Sequence, residues 1–76
     1  MAREQTIDVV AEMVANVMSV AVAVGDRVEA GATVALLESM KMEIPVLVDG
    51  AGTVTAVKVG PGDVVQEGDV LITLTA

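Results

Sequence analysis

The alternation of side chains is clearest between Met42 and Asp49. Met42, Ile44, Val46 and Val48 share one face of an extended chain, and Glu43, Pro45, Leu47 and Asp49 share the other, because successive side chains of a strand point to opposite sides. Pro45 has no N–H to give to a neighbour, so this strand is expected at a sheet edge. Shorter alternations recur at Val20, Val22 and Val24 and again at Val57 and Val59, and strands are expected over 7–12, 33–38 and 70–75. Turn signals separate them: Gly25-Asp26, Gly31, Asp49-Gly50-Ala51-Gly52, Gly62-Asp63 and Gly68. With very short strands around Val28 and Val65, the pattern predicts about eight strands with a turn every 8–12 residues, the spacing of small sandwiches and barrels. No long stretch repeats its apolar positions every three to four residues between caps, which argues against a helical bundle.

The pattern repeats. Residues 17–38 lie on residues 54–75 when the chain is shifted by 37 positions, and eight of those 22 positions are identical. Val matches alone would mean little in a Val-rich chain. The element G-D-x-V-x-x-G, at 25–31 and again at 62–68, is far more specific. Each copy reads as strand, Gly-Asp turn, very short strand, second Gly turn and longer apolar strand. Neither copy can bury its apolar face alone, so the two are expected to pack together with two-fold pseudosymmetry. The fold class that follows is all-β: two small antiparallel sheets packed face to face as a flattened eight-stranded barrel.

Composition narrows the chemistry. The 76 residues suffice for one domain over 1–76, with 1–6 expected as a flexible N-terminal tail. Hydrophobic residues make up 54% of the chain but none is Phe, Trp or Tyr, so the core must come from Val, Leu, Ile, Ala and Met. Cys and His are both absent, which removes disulfides, thiolate nucleophiles, the commonest zinc ligands and the usual general base. Neither Ser19 nor Ser39 has a recognisable base to activate it, and the carboxylates lack the spacing of a calcium loop. No catalytic residue and no metal site are expected, and the chain is not an enzyme by itself. A net charge of −7 argues against nucleic acid or an anionic membrane as partner. Arg3, the apolar stretch 13–24 and Ala21-Val22-Ala23 imitate a secretory signal, but Glu4, Asp8, Glu12 and Asn16 interrupt it. A cytoplasmic chain, monomeric in isolation, is the expectation.

Between the two copies stands Glu38-Ser39-Met40-Lys41-Met42-Glu43. The flanking strands leave room only for a tight hairpin with Met40-Lys41 at its tip. Two-residue hairpin loops favour Asn-Gly or other Gly-containing pairs, because their centre needs positive φ. Met-Lys breaks that rule, two exposed methionines flank the tip, and Glu38 and Glu43 face each other across it. Local inconsistency of this kind marks places where function overrides folding. Lys41 is one of two lysines, the other being Lys58 in the second copy. Its amine can enter another protein's active site, lose a proton there and attack an activated carboxyl group. Met40 and Met42 are candidates for recognition by the modifying enzyme. Glu38, Ser39 and Glu43 are weaker members of the same motif.

The segment E-S-M-K-M-E, centred on Met40-Lys41-Met42, resembles the acceptor motif of the biotinyl domains in the biotinyl/lipoyl attachment family. Ala51-Gly52-Thr53-Val54, the V-x-x-G-D run at 59–63 and the last apolar strand match as well, so the likeness runs from about Val9 to Leu74. The resemblance implies covalent biotin on Lys41, attached by a biotin protein ligase through biotinyl-adenylate. It further implies a biotin carboxyl carrier, whose arm receives a carboxyl group at a biotin carboxylase and delivers it to a carboxyltransferase. The chain departs from the family at Ala11-Glu12-Met13-Val14-Ala15, which stands where A-P-M-P-G is usual. Asn16 is left there to take a strained backbone position. Only Ala23 and Val24 lie between Val22 and Gly25, which leaves no room for the protruding thumb loop that some carriers have.

Two other readings stay open at this point. A lipoyl carrier would share the fold, although such acceptors usually carry Asp-Lys-Ala at the tip. An unmodified barrel serving as an interaction module would give no reason for a turn as awkward as Met40-Lys41.

Overall fold

The computed structural model describes residues 5–76. Eight strands follow one another: β1 (Thr6–Val10), β2 (Ala15–Val20), β3 (Arg27–Val28), β4 (Thr33–Ser39), β5 (Met42–Leu47), β6 (Gly52–Val57), β7 (Val64–Val65) and β8 (Val70–Thr75). They form two four-stranded antiparallel sheets, ordered β1-β8-β6-β3 and β5-β4-β2-β7. Val-rich segments take this form because β-branched side chains pack well on a pleated surface that is half buried.

The 37-residue repeat is a repeat of structure. β1, β2, β3 and β4 correspond to β5, β6, β7 and β8, and each sheet order maps onto the other. The Gly-Asp turns repeat bond for bond. Gly25 donates to the Val54 carbonyl at 2.8 Å, and Gly62 donates to the Val17 carbonyl at 2.8 Å. The Asp26 carboxylate accepts from the Ala23 N–H at 2.9 Å, and the Asp63 carboxylate accepts from the Gly60 N–H at 2.8 Å. Gly25 and Gly62 have φ of 98° and 94°, a conformation that side chains resist. Each copy sends its short strand into the other copy's sheet: β3 pairs with β6, and β7 pairs with β2.

The core obeys the same symmetry. Buried Ala11, Val17, Val28, Val34, Ala35 and Leu37 of the first half correspond to buried Val48, Val54, Val65, Leu71, Ile72 and Leu74 of the second. The remaining pair is Ala15 and Gly52, both buried. Gly52 has a specific reason to lack a side chain, since a Cβ there would come within 3.0 Å of the Thr75 carbonyl oxygen. The β5 face alternates as the sequence suggests, with Ile44, Val46 and Val48 turned inward, and Pro45 lies on an edge strand.

Several sequence expectations are corrected. The strand anticipated at Val20–Val24 ends at Val20: the Ala21 N–H still reaches the Val34 carbonyl of β4, but the Ala23 N–H turns to the Asp26 carboxylate. Val59 likewise lies beyond β6. Gly52 opens β6 and does not belong to the preceding turn. Asn16 sits within β2, and among the described residues the non-glycine positions with positive φ are Met40 and Lys41 alone. The tail expected over 1–6 falls mostly outside the described residues. Thr6, however, pairs with Thr75, and the Ala76 N–H donates to the Gln5 carbonyl at 2.9 Å.

Candidate functional site

β4 and β5 pair continuously toward their shared tip, through Leu37–Ile44, Glu38–Glu43 and Ser39–Met42. The loop between the last pair is Met40-Lys41, with φ of 51° and 65°. Positive φ at both central residues is the condition of a type I′ turn, whose twist matches that of the flanking strands. Two L side chains are thereby held in the left-handed region, at a cost of roughly 1–2 kcal/mol each. The β4–β5 pairing enforces the conformation, since a two-residue loop in this register leaves the backbone little alternative.

The turn presents its side chains to solvent. Lys41 is exposed, Met40 is 91% exposed and Met42 is 64% exposed. Met42 therefore continues the inward-facing row of β5 beyond the end of the core. Glu43 is exposed, while Glu38 and Ser39 are half-buried. Glu38 and Glu43 stand directly opposite, as the sequence suggests. Among the described residues the one ion pair joins Arg27 to Glu29 at 3.8 Å, so neither glutamate clamps the Lys41 ammonium. The second lysine, Lys58, follows β6, and its N–H donates to the Leu71 carbonyl.

A shallow depression of about 380 Å³ adjoins the tip, lined by Val14, Ala15, Asn16, Glu38, Ser39, Met40, Lys41 and Val64. It brings together four of the motif residues, Glu38, Ser39, Met40 and Lys41, with residues that the linear motif does not contain. Val14 lies in the bend before β2 and Val64 in β7. Their nearness to Lys41 follows from the pairing of Asn16 with both Glu38 and Val64. Only the cross-over of β7 into the first half's sheet creates that adjacency, so the sequence motif gives no sign of it. A larger groove of about 420 Å³ runs between edge strands β1 and β5, past Ile7, Val9, Ile44 and Val46. It does not include Lys41.

What the arrangement can do is narrow. It offers a primary amine on a rigid tip, open to approach by a bulky active site, with no ion pair to be broken first. The residues at the tip thus fit an amide-linked group that extends into solvent. They include no histidine or cysteine to act as base or nucleophile, and neither Glu38 nor Glu43 is ion-paired with Lys41.

Comparison with known proteins agrees with this geometry. The family model described as "Biotin-requiring enzyme" matches residues 6–74. The chain is 52% identical over 68 residues to the biotinylated protein TB7.3 homolog of Mycobacterium leprae, covering 90% of this chain and 96% of that one. It is 52% identical over 64 residues to the biotin/lipoyl attachment protein of Bacillus subtilis, covering 84% and 88% respectively. Among solved structures, the urea carboxylase of Kluyveromyces lactis superposes with a TM-score of 0.86 at 30% identity, over 97% of this chain and 6% of that enzyme. A match along nearly the whole chain, in sequence and in three dimensions, shows that it belongs to the biotin- and lipoyl-attachment family of biotin-requiring enzymes.

Proposed function

We propose that this chain is a biotin carboxyl carrier and that Lys41 is the residue to which biotin is joined. The observation that carries this reading is the Met40-Lys41 turn: two side chains held at positive φ and fully presented, on a scaffold that is otherwise locally consistent. A biotin protein ligase would supply the biotinyl-adenylate and the base. The Lys41 Nζ, having lost a proton to that base, attacks the acyl carbon. The C–N amide bond forms, the acyl–phosphate C–O bond breaks, and AMP departs. Once held as an amide, biotin supplies a ureido nitrogen that takes up and releases a carboxyl group. The barrel's part is mechanical: it holds the attachment point on a stiff stalk that a biotin carboxylase and a carboxyltransferase, on other chains or domains, can each receive.

Within the motif, Met40 and Met42 offer adaptable apolar contact to the ligase. Ser39 keeps the last strand position small, and Glu38 and Glu43 give the tip a negative flank. Activation of biotin through a nucleotide fits the cytoplasmic setting proposed for the chain. Met-Lys-Met in place of Asp-Lys-Ala argues against lipoate as the cargo.

The test is intact mass spectrometry after incubation with a biotin protein ligase, biotin and ATP, on wild type and Lys41→Arg. Wild type gains the mass of one biotin and binds streptavidin, and Lys41→Arg does neither while melting at the same temperature. A folded wild type that gains nothing, or a Lys41→Arg variant that gains as much, overturns the proposal.

A further inference from the structure

We infer that Val14 and Val64, which lie outside the attachment motif, form with Met40 the apolar seat on which the enzyme that acylates Lys41 docks. This rests on the reading of Lys41 as acceptor. The occupant follows from position. The three side chains line one depression with Lys41, so an active site that encloses the Lys41 amine must also cover them. Each is open to contact: Val14 is 63% exposed, Val64 is 66% exposed and Met40 is 91% exposed. Exposed valines scattered singly need no explanation, but these converge beside the one modified residue from two separate segments.

The molecule contains its own control. Under the internal symmetry, Val14 corresponds to Ala51 and Val64 to Arg27. Arg27 opens β3 just as Val64 opens β7, and it is exposed and paired with Glu29. The scaffold therefore accepts a small residue at the first position and a charged one at the second. Large apolar side chains stand there only at the end that bears Lys41, so folding does not demand them. The chemistry of the partner face also follows. It is apolar where it meets Val14, Val64 and Met40, and basic beside them, to match Glu38 in the depression and Glu43 across the hairpin.

The counterpart residues give the variants. Val14→Ala, Val64→Arg and the double variant are assayed for ligase-catalysed biotinylation, with KM and kcat measured separately and melting followed by circular dichroism. Val24→Ser is the control, since Val24 is 63% exposed but sits in the turn that contacts Val54, away from the tip. The expected result is a KM for the carrier raised about tenfold in Val64→Arg and several-fold in Val14→Ala, as expected for losing one valine's share of buried apolar surface. The kcat, the melting temperature and the Val24→Ser kinetics stay at wild-type values. An unchanged KM in both variants overturns the inference while leaving the role of Lys41 intact, because wild type is still modified. So does an equal rise in Val24→Ser. If wild type itself is not modified, it is the carrier reading that fails.

Discussion

Replacing Met40→Asn and Lys41→Gly together should stabilise the domain while abolishing its use. The two residues occupy the left-handed region at φ of 51° and 65°, where an ordinary L residue costs roughly 1–2 kcal/mol. Asn is several-fold enriched in that region, which returns up to about 1 kcal/mol. Gly removes the steric cost but adds about 0.5–1 kcal/mol of chain entropy to the unfolded state. The net gain is therefore about 0.5–1 kcal/mol per position, or about 1–2 kcal/mol for the pair. Little packing is lost in exchange, because Met40 is 91% exposed and Lys41 is exposed as well. For a domain of this size, 1 kcal/mol corresponds to about 4–8 °C in Tm, so the double variant should melt about 5–15 °C higher. The measurement is thermal unfolding by circular dichroism beside urea titration, with Lys41→Arg as a control that keeps the strain. The urea midpoint should rise with an unchanged slope. A double variant that melts at or below wild type, with that slope unchanged, would show that the tip is not strained and would remove the main physical argument for a functional override there.

Other expectations concern the scaffold. Gly52→Ala should cost about 1–3 kcal/mol in urea unfolding, because the new methyl group meets the Thr75 carbonyl oxygen at 3.0 Å; a cost within error of zero would mean that the β6–β8 spacing can relax. Asp26→Ala and Asp63→Ala should each cost about 1 kcal/mol through loss of the N–H acceptor in their turns. Equal losses would show that the two halves are energetic as well as geometric copies. Leu71→Ala, at a position with no exposed surface, should cost about 2–5 kcal/mol, and a smaller loss in the same assay would indicate a core able to collapse around the cavity.

The sequence made the strands and their pairing by halves readable, because period 2, turn chemistry and the G-D-x-V-x-x-G repeat all point the same way. The hairpin and the exposed place of Lys41 on it were readable for the opposite reason, since Met40-Lys41 contradicts local preference. Three features were not readable, each for a physical cause. The end of β2 at Val20 depends on the Asp26 carboxylate capturing the Ala23 N–H, and apolar alternation through Val24 hides that. Asn16 was assigned strain by analogy with a glycine- and proline-bearing turn, yet here that stretch enters β2 directly. Val14 and Val64 reach the tip only through the exchange of short strands between halves, a non-local pairing that no contiguous motif encodes.

The internal two-fold has a consequence for how the chain could be re-cut. A symmetric object traced by one polypeptide has two equivalent seams. One is closed by Ser39–Met42, and at the other Gln5 and Ala76 meet through a 2.9 Å hydrogen bond. Joining the second with a two-residue Asn-Gly bridge and opening the chain elsewhere would give a circular permutant with the same barrel. A Met-Lys bridge across the second seam, together with Gln5→Met, would place another amine at the opposite pole, turning a one-armed stalk into a two-armed one whose arms point away from each other.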